Sequence, residues 1–347
     1  MIIGAGLDAR LGLSLTDLRA AGAEAVGLGF ESLWTPAGGV PDAFHVCAAW
    51  ADAAAAATGT AIRTGISVVP APRQWRPESL AIQAATVGQV SGGRFMLGIG
   101  TGGAGAPYFA ALGLADRPVA VMRDYLIVLR GLLAGEQVTY SGPALSVERA
   151  RIGTDLPPVP VYLAALGPQM TRLAGTHADG VSLNWATPTQ IASSRRLVEE
   201  SARAAGRDPG SVPLSMYIRV CVDEDVEAAR RAFAAQVLGY AMVRPGGDPA
   251  LAYRGHFARM GFDDALRELE ARRDRGARTS ELVDVVPDEL LDAVGYYGSP
   301  AGAAARFAEL AEGLDEAVVR VITVRPDPAA VTATLRALTP AAIRAAR

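Results

Sequence analysis

The chain has 347 residues, of which 50% are hydrophobic and 20% are charged, and its formal net charge is -3. All of its basic side chains except the histidines are arginines, so Schiff-base chemistry and a P-loop lysine are excluded. The negative balance and the scattered arginines exclude a nucleic-acid-binding footprint, and no segment has the apolar length of a transmembrane helix.

Cysteine and histidine usage gives no sign of a metal site. Cys47 and Cys221 are too few and too far apart for a zinc site or a disulfide framework. Because His45, His177 and His256 also lack metal-ligand spacing, we predict no bound metal. The chain begins with a strand-like segment rather than a basic region and a cleavage site, so we expect a cytoplasmic protein.

Strand and helix patterns alternate along most of the chain. Strands are predicted at residues 2–7, 31–35, 61–69, 95–99, 159–165, 180–183, 214–222 and 317–324. Helical segments follow them, and the clearest start is Thr187-Pro188, an N-cap residue followed by proline at the first helical position. Eight strands alternating with helices are typical of an α/β (β/α)8 TIM barrel, and we predict one such domain over residues 1–347.

Two insertions interrupt this alternation. Residues 136–150 contain a Ser-Gly-Pro turn between alternating segments, which predicts a small β-hairpin. Residues 243–298 mix proline, glycine and charge runs with short helical pieces, and we predict a larger insertion that covers one end of the fold. Within it, Arg244, His256 and Arg259 are candidates to face the pocket, although we favour surface positions for them.

The segment RFMLGIGTGGAG, residues 94–105, joins a buried strand to a glycine-rich turn. Bare backbone at the carboxyl end of a strand allows a flat or phosphorylated ligand to approach closely. The segment lies about a quarter of the way along the chain, and the next candidate acid, Asp116, lies after a proline-containing loop, so a nicotinamide dinucleotide site is not favoured.

Several signatures, in this order and spacing, resemble the bacterial luciferase-like superfamily, and within it the oxidoreductases that use the deazaflavin coenzyme F420. The resemblance covers nearly the whole chain. It is carried by FESLW at 30–34, RTGISVVP at 63–70, RPESLAIQAATVGQVSGGRFMLGIGTG at 76–102, VPVYLAALGP at 159–168 and AGTHADGV at 174–181.

The resemblance implies where the cofactor binds. It places a cis peptide bond between Ser67 and Val68, in a bulge behind the central ring of the cofactor, and it places the backbone of Thr101 and Gly102 near the polar edge of that ring. It implies that the cofactor phosphate binds at a helix N-terminus, where free N–H groups favour an anion. The residues implied at this phosphate end are Gly167, Pro168 and Gln169, and Gly100 and Ala165 are further residues expected against the cofactor. Asn184, just beyond the sixth strand, is a candidate hydrogen-bond partner of the cofactor or substrate, although a structural role in its loop is favoured.

Three further residues are candidates for the reaction itself. Asp8 follows the first strand, and we predict that it donates or accepts a proton or orients the substrate; a helix cap or a salt bridge with Arg10 explains it equally well. Trp34 and Trp75 lie near the ends of predicted strands where barrel active sites are built, so we predict that they line the substrate pocket, with packing as the alternative for each and Trp75 as the stronger candidate.

The resemblance implies hydride transfer between C5 of coenzyme F420 and a small organic substrate, in a homodimer. A two-component monooxygenase that uses reduced FMN and oxygen is an alternative on the same fold. The chain departs from the deazaflavin pattern, because Pro36 and Ala37 stand in place of an Asp-His pair and Gly103 stands where one branch has glutamate. A barrel that binds a flavin-like molecule without catalysis therefore remains a second alternative.

Overall fold

The structure is a computed structural model that describes residues 1–59, 61–102, 118–243, 245, 247–249 and 252–347. Gly103 and Arg244, and the end of the glycine-rich segment from 103 to 105, lie outside the described residues. None of the helices within those ranges is long and apolar enough to span a membrane.

The described chain contains a large parallel sheet and a separate two-stranded antiparallel sheet. The strands, in chain order, are β1 (Ile2–Gly6), β2 (Ser32–Thr35), β3 (Arg63–Val69), β4 (Phe95–Ile99), β5 (Val138–Ser141), β6 (Ser146–Ala150), β7 (Val161–Ala164), β8 (Gly180–Asn184), β9 (Leu214–Val222), β10 (Gly295–Gly298) and β11 (Glu316–Ile322).

The parallel sheet closes into a barrel. Its order is β9-β11-β1-β2-β3-β4-β7-β8, and β8 pairs with β9 to complete the ring. These eight strands are the eight that the sequence predicts, with ends that differ by at most two residues. The predicted (β/α)8 barrel is therefore confirmed.

Helices follow the barrel strands and cover the outside of the sheet. They are α1 (Leu15–Gly27), α2 (Ala43–Thr58), α3 (Ala71–Gln74), α4 (Pro77–Val90), α5 (Pro118–Leu133), α6 (Pro168–His177), α7 (Pro188–Ala204), α8 (Val226–Ala241), α9 (Ala252–Phe257), α10 (Asp263–Asp274), α11 (Thr279–Val283), α12 (Asp288–Val294), α13 (Pro300–Leu310), α14 (Pro328–Ala337) and α15 (Pro340–Ala345). The predicted start of α7 is confirmed, because Thr187 caps it and forms a capping box with Gln190.

Both predicted insertions contain the expected kinds of element. Strands β5 and β6 form the antiparallel hairpin. The larger insertion contains α9 to α12, and a single turn of π-helix at Ala258–Phe262 joins α9 to α10. The insertion ends in β10, which the sequence analysis missed. This strand adds to the upper half of β9 in parallel, from Arg219 to Val222.

Residues of each barrel strand alternate between two environments. Outward-facing side chains such as Ile3, Ala5 and Leu7 belong to the main core between sheet and helices. The intervening positions, such as Gly4 and Gly6, face the barrel interior. Because both faces of the strands are buried, their sequences are almost continuously apolar.

A separate cluster of large side chains fills the barrel interior, made of Trp34, Met96, Tyr162, Tyr217 and Val318. Interior glycines provide the space that these rings need. A Cβ at Gly65 would lie 2.5 Å from the ring of Trp34, and one at Gly180 would lie 2.4 Å from the ring of Tyr162. The barrel is thus a packed core below its mouth.

Trp34 belongs to this interior core, and the prediction that it lines the substrate pocket is wrong. Its side chain is fully buried. Its indole Nε1 donates to Oε1 of Glu316 at 2.8 Å and to Oγ of Ser32 at 3.1 Å. Glu316 begins β11, so the indole points towards the amino-terminal end of the barrel, away from the mouth.

Candidate active site at the carboxyl ends of the strands

Strand β3 ends in a bulge. The peptide bond between Ser67 and Val68 is cis, as predicted, and the register between β3 and β4 shifts between Ile66 and Val69. Since the bulge approaches β4 closely, β4 presents glycine there: a Cβ at Gly98 would lie 2.5 Å from the carbonyl oxygen of Ile66.

The glycine-rich turn continues this close approach. A Cβ at Gly100 would lie 3.0 Å from side-chain atoms of both Val68 and Ala164. Gly102 has a φ of 74°, a left-handed conformation that favours glycine, and a Cβ there would lie 2.8 Å from Pro70. Thr101 and Gly102 are both partly exposed, so their backbone is accessible at the barrel mouth.

The next two strands end at a cavity of about 190 Å³. Helix α6 begins beside it, with Gly167 as N-cap residue and Pro168 at the first helical position, and no side chain in the described part of the structure caps its free N–H groups. Such a terminus attracts anions. The lining residues are Ala165, Leu166, Gly167, Pro168, Thr171, Leu183, Asn184, Ala186, Gln190, Ser193, Ser194, Leu197, His256 and Arg259. Gln169 is exposed and is not among them.

The insertion contributes His256 and Arg259 to the wall of this cavity. Arg259 is exposed, as predicted, and its Nη2 donates to the carbonyl of Leu166 at 3.1 Å. His256 is buried, so its predicted surface position is wrong. Its ring nitrogens lie 3.2 Å from the carbonyl oxygen of Leu166 and 3.0 Å from that of Trp185. The imidazole therefore joins two active-site loops to the insertion.

Burial lowers the pKa of His256 from its ordinary value, and this effect outweighs the two carbonyl contacts, which favour the charged form. A neutral imidazole carries a single N–H donor, so it satisfies only one of its two neighbouring carbonyls. The neutral His256 therefore adds no charge to the cavity wall, and the positive groups there are Arg259 and the N-terminus of α6.

Asn184 connects this cavity to the centre of the barrel mouth. Its Oδ1 accepts from Nη1 of Arg219 at 2.6 Å, and its Nδ2 donates to the hydroxyl of Tyr253 at 2.6 Å. Arg219 is buried and stacks on Trp185, with its guanidinium carbon 3.8 Å from the ring centroid. Asn184, which was predicted as a site residue, therefore contacts Arg219, a buried cation that was not predicted.

Asp8 lies at the same mouth, after β1, and is buried. One carboxylate oxygen accepts from the backbone N–H of Arg10 at 2.9 Å, and the other contacts the buried guanidinium of Arg320. The side chain of Arg10 lies farther away, at 3.9 Å. These contacts indicate that Asp8 positions Arg320; its catalytic role stays a prediction.

Trp75 lies at the edge of this region. It follows α3 and is partly buried, with its ring packed edge-on against Phe44 at a centroid distance of 5.6 Å. Its backbone carbonyl accepts from the hydroxyl of Tyr125 at 3.0 Å. These contacts fix the residue, and its place in a substrate pocket stays a prediction.

Comparison with known protein families shows the family of the chain. Residues 4–317 match the family described as luciferase-like monooxygenase. The chain belongs to this family. The match includes six complete strands of the barrel, most of β1 and the first two residues of β11, so all four adjacent strand ends that form the site fall within it.

The similar proteins include F420-dependent reductases and, separately, monooxygenases. A 5,10-methylenetetrahydromethanopterin reductase of Methanolobus tindarius is 31% identical over 251 residues, 71% of this chain and 73% of the relative. The solved coenzyme F420-dependent tetrahydromethanopterin reductase from Methanopyrus kandleri superposes with a TM-score of 0.76 at 22% identity, covering 98% and 99% of the two chains. A monooxygenase from Streptomyces bottropensis superposes with a TM-score of 0.64 at 19% identity, covering 97% of each.

The sequence analysis missed two buried charged residues at the barrel mouth, Arg219 and Arg320. Each is the only charged side chain within the apolar part of its strand, in LSMYIRVCV and AVVRVI. Each also occupies an inward-facing position, and the two are paired in register. A lone arginine within an otherwise apolar run was the signal available in the sequence.

Proposed function

We propose that the chain is an F420-dependent oxidoreductase that transfers a hydride between C5 of the deazaflavin and a small organic substrate. The observation that carries the proposal is the convergence of the expected cofactor residues on β3, β4, β7 and β8. These strands are neighbours in the barrel, and the expected residues lie at or just beyond their carboxyl ends. Bound F420 supplies the hydride chemistry, and the protein supplies binding, orientation and exclusion of water.

The described residues fit a flat ring at one end of this arrangement. The Ser67-Val68 bulge would support one face of the ring, and glycines at 100 and 102 leave no side chain between the bulge and the strand beside it. The accessible backbone at Thr101 and Gly102 would contact the polar edge of the ring. A fixed bulge holds the ring in one position, which is the orientation that efficient transfer requires.

The other end fits an anionic group. The uncapped N-terminus of α6, at Gly167 and Pro168, would bind the cofactor phosphate through its free N–H groups. Gln190 and Ser193 line the same cavity and provide hydrogen-bonding side chains, while Arg259 adds a positive charge. A phosphate therefore has both charge complementarity and donors in this cavity.

The names of the relatives support F420 over FMN, since both the Methanolobus and the Methanopyrus proteins are methanopterin reductases and the latter is F420-dependent by name. The Streptomyces protein is a monooxygenase by name, so a monooxygenase that uses reduced FMN and oxygen stays the second candidate function. We also expect a homodimer, which light scattering at several protein concentrations tests directly.

Binding of oxidised F420 and of FMN to the purified protein, measured by fluorescence or absorbance at one salt concentration, tests the proposal. Tight F420 binding without FMN binding supports it. FMN binding without F420 binding favours the monooxygenase alternative at the same site. If neither compound binds, the cofactor assignment is overturned. F420 binding without turnover over a broad panel of alcohols and imines favours a non-catalytic binding protein.

A variant pair locates the phosphate end. Ser193→Asp places a negative charge in the α6 cavity and should weaken F420 binding roughly tenfold or more, with a larger effect at low salt. Ser141→Asp adds the same charge at an exposed position of the β5–β6 hairpin and is the matched control. Equal affinities of the two variants would place the phosphate elsewhere.

A further inference from the structure

The barrel mouth carries an excess of buried positive charge. Arg219 and Arg320 are 3% and 4% exposed, and Arg10 lies beside them. We call these three the arginine cluster. Asp8 is the one carboxylate that lines the same cavity among the described residues. Two buried cations and the exposed Arg10 thus face one anion.

Arg219 is the member of the cluster without a counter-ion. No carboxylate in the described ranges lies within ion-pair distance of it. Its contacts are a neutral acceptor, Oδ1 of Asn184, and two aromatic faces, with centroid distances of 3.8 Å to Trp185 and 5.0 Å to Tyr240. Burial lowers its pKa to about 10, since desolvation disfavours the charged form. Buried charges in proteins are normally paired, so the buried charge of Arg219 requires a counter-ion.

Two buried polar atoms beside Arg219 also lack partners. Nη1 of Arg320 and the hydroxyl of Tyr217 have no hydrogen-bond partner in the described part of the chain. Arg320 already contacts Asp8 through Nη2 and lies over the ring of Tyr217 at 5.0 Å. Its second guanidinium nitrogen therefore remains available for another acceptor.

The cluster also changes the ionisation of a neighbouring phenol. Burial alone raises the pKa of Tyr240, but the charges of Arg219, Arg10 and Arg320 outweigh it, and the net pKa is lowered. The field at the mouth therefore favours negative charge. Nη1 of Arg10 also donates a hydrogen bond to the Tyr240 hydroxyl at 2.8 Å.

We propose that the arginine cluster binds a carboxylate group of the substrate. The inference rests on the proposed function, because it assigns a substrate class to the same barrel mouth. The cavity beside the cluster has a volume of about 40 Å³ and is lined by Asp8, Arg10, Arg219 and Arg320. That space suits a group about the size of three waters. Planar guanidinium forks match the geometry of a carboxylate.

Thermal unfolding of cofactor-free protein in the presence of acetate or benzoate tests the proposal. Acetamide or benzamide is the matched uncharged compound, and sodium chloride at equal ionic strength is the anion control. Because a ligand that binds only the folded state raises the melting temperature, the carboxylates should raise it and the amides should not. Arg219→Met should reduce the carboxylate affinity roughly thirtyfold. Arg272→Gln, on the exposed side of α10, is the control arginine.

Arg219→Met is the informative variant because it removes a charge that lacks a counter-ion in the described chain, so without added anion it should melt at or above the wild-type temperature. Arg320→Lys is a second variant that keeps a cation beside Asp8 while it removes the guanidinium fork, and it should also weaken carboxylate binding.

An equal response to carboxylate, amide and chloride would overturn the proposal, as would an unchanged carboxylate response in Arg219→Met. F420 binding is measured separately on the same proteins. If the protein binds F420 but carboxylates do not raise its melting temperature, the carboxylate site is wrong and the cofactor proposal stands. If carboxylates raise the melting temperature but F420 does not bind, the cofactor proposal is wrong and the anion site stands.

Discussion

The guanidinium carbon of Arg219 lies 3.8 Å from the ring centroid of Trp185, so a buried cation covers one face of this indole. The indole Nε1 itself is buried and has no hydrogen-bond partner among the described residues. Trp34 is buried to the same degree, but its Nε1 donates to a buried carboxylate, that of Glu316. The two tryptophans therefore contribute to stability in different ways.

Replacing each tryptophan with phenylalanine separates these contributions. Both changes remove similar volume from a packed interior. Trp34→Phe also leaves the Glu316 carboxylate without its indole donor, which should add about 1–3 kcal/mol of destabilisation. Trp185→Phe loses no hydrogen bond. We expect a lower denaturant midpoint for Trp34→Phe than for Trp185→Phe in urea unfolding, and the opposite order would show that the Glu316 contact is unimportant.

The pair of Asp8 and Arg320 gives a second prediction. Asp8→Asn leaves the buried guanidinium without its carboxylate, so the free energy of unfolding should fall by about 3–5 kcal/mol. The double change of Asp8→Asn with Arg320→Met should cost less than Asp8→Asn alone. Urea unfolding of the three variants checks this order.

Turnover of the same Asp8→Asn protein decides whether Asp8 is catalytic. If Asp8 only positions Arg320, the variant should mainly raise KM and leave kcat largely unchanged. Native stability combined with a large loss of kcat would instead assign proton transfer to Asp8, and unchanged turnover would end the catalytic hypothesis.

The barrel was predictable because its evidence is local and repeated. Runs such as LSMYIRVCV have the length and apolar content of a buried parallel strand, and the residues between such runs carry helix caps such as Thr187-Pro188. The strand β10 was missed because GYYG is short and carries a glycine at each end. Its pairing partner β9 lies more than 70 residues earlier in the chain.

The inner and outer faces of the strands were harder to distinguish. Every residue of β2, from Ser32 to Thr35, is buried, so the apolar pattern gives no indication of which side chains enter the barrel. Trp34 was assigned to the mouth because it is near the end of its strand, whereas its indole points down towards Glu316. The arginine cluster depends on contacts between β1, β9 and β11, which sequence separation concealed.

Acidification provides a third prediction, through His256. Burial lowers the pKa of His256 below its ordinary value of 6.5 in the folded protein, so the unfolded chain binds more protons between the two pKa values. Its contribution to stability is present above about pH 6.5 and is lost as the pH falls towards the folded pKa. His177 has a pKa shifted in the same direction, chiefly by burial.

His256→Gln should therefore show a smaller drop in stability between pH 7.5 and pH 5.5 than the wild type, although it should be less stable at pH 7.5. Thermal melts at the two pH values measure both effects. His45→Gln alters an exposed histidine, with a side chain 78% exposed, and is the control. A pH dependence identical to that of the wild type would mean that His256 does not titrate on unfolding.

The bulge between β3 and β4 gives the last prediction, on two glycine positions. A Cβ at Gly98 would lie 2.5 Å from the carbonyl oxygen of Ile66, a backbone atom that cannot rotate away. Gly98→Ala should therefore destabilise the protein by about 1–3 kcal/mol and displace the Ser67-Val68 bulge. Gly239 lies within α8 and has open space where its Cβ would be, so Gly239→Ala should stabilise the protein by about 0.5–1 kcal/mol.

Measured together, these two variants connect the bulge to cofactor binding. Because only Gly98→Ala moves the surface that would support the cofactor ring, it should weaken F420 binding, while Gly239→Ala should bind F420 as the wild type does. Fluorescence titration and urea unfolding on the same samples separate affinity from stability. Unchanged F420 affinity in a destabilised Gly98→Ala protein would show that the bulge supports the fold but not the ring.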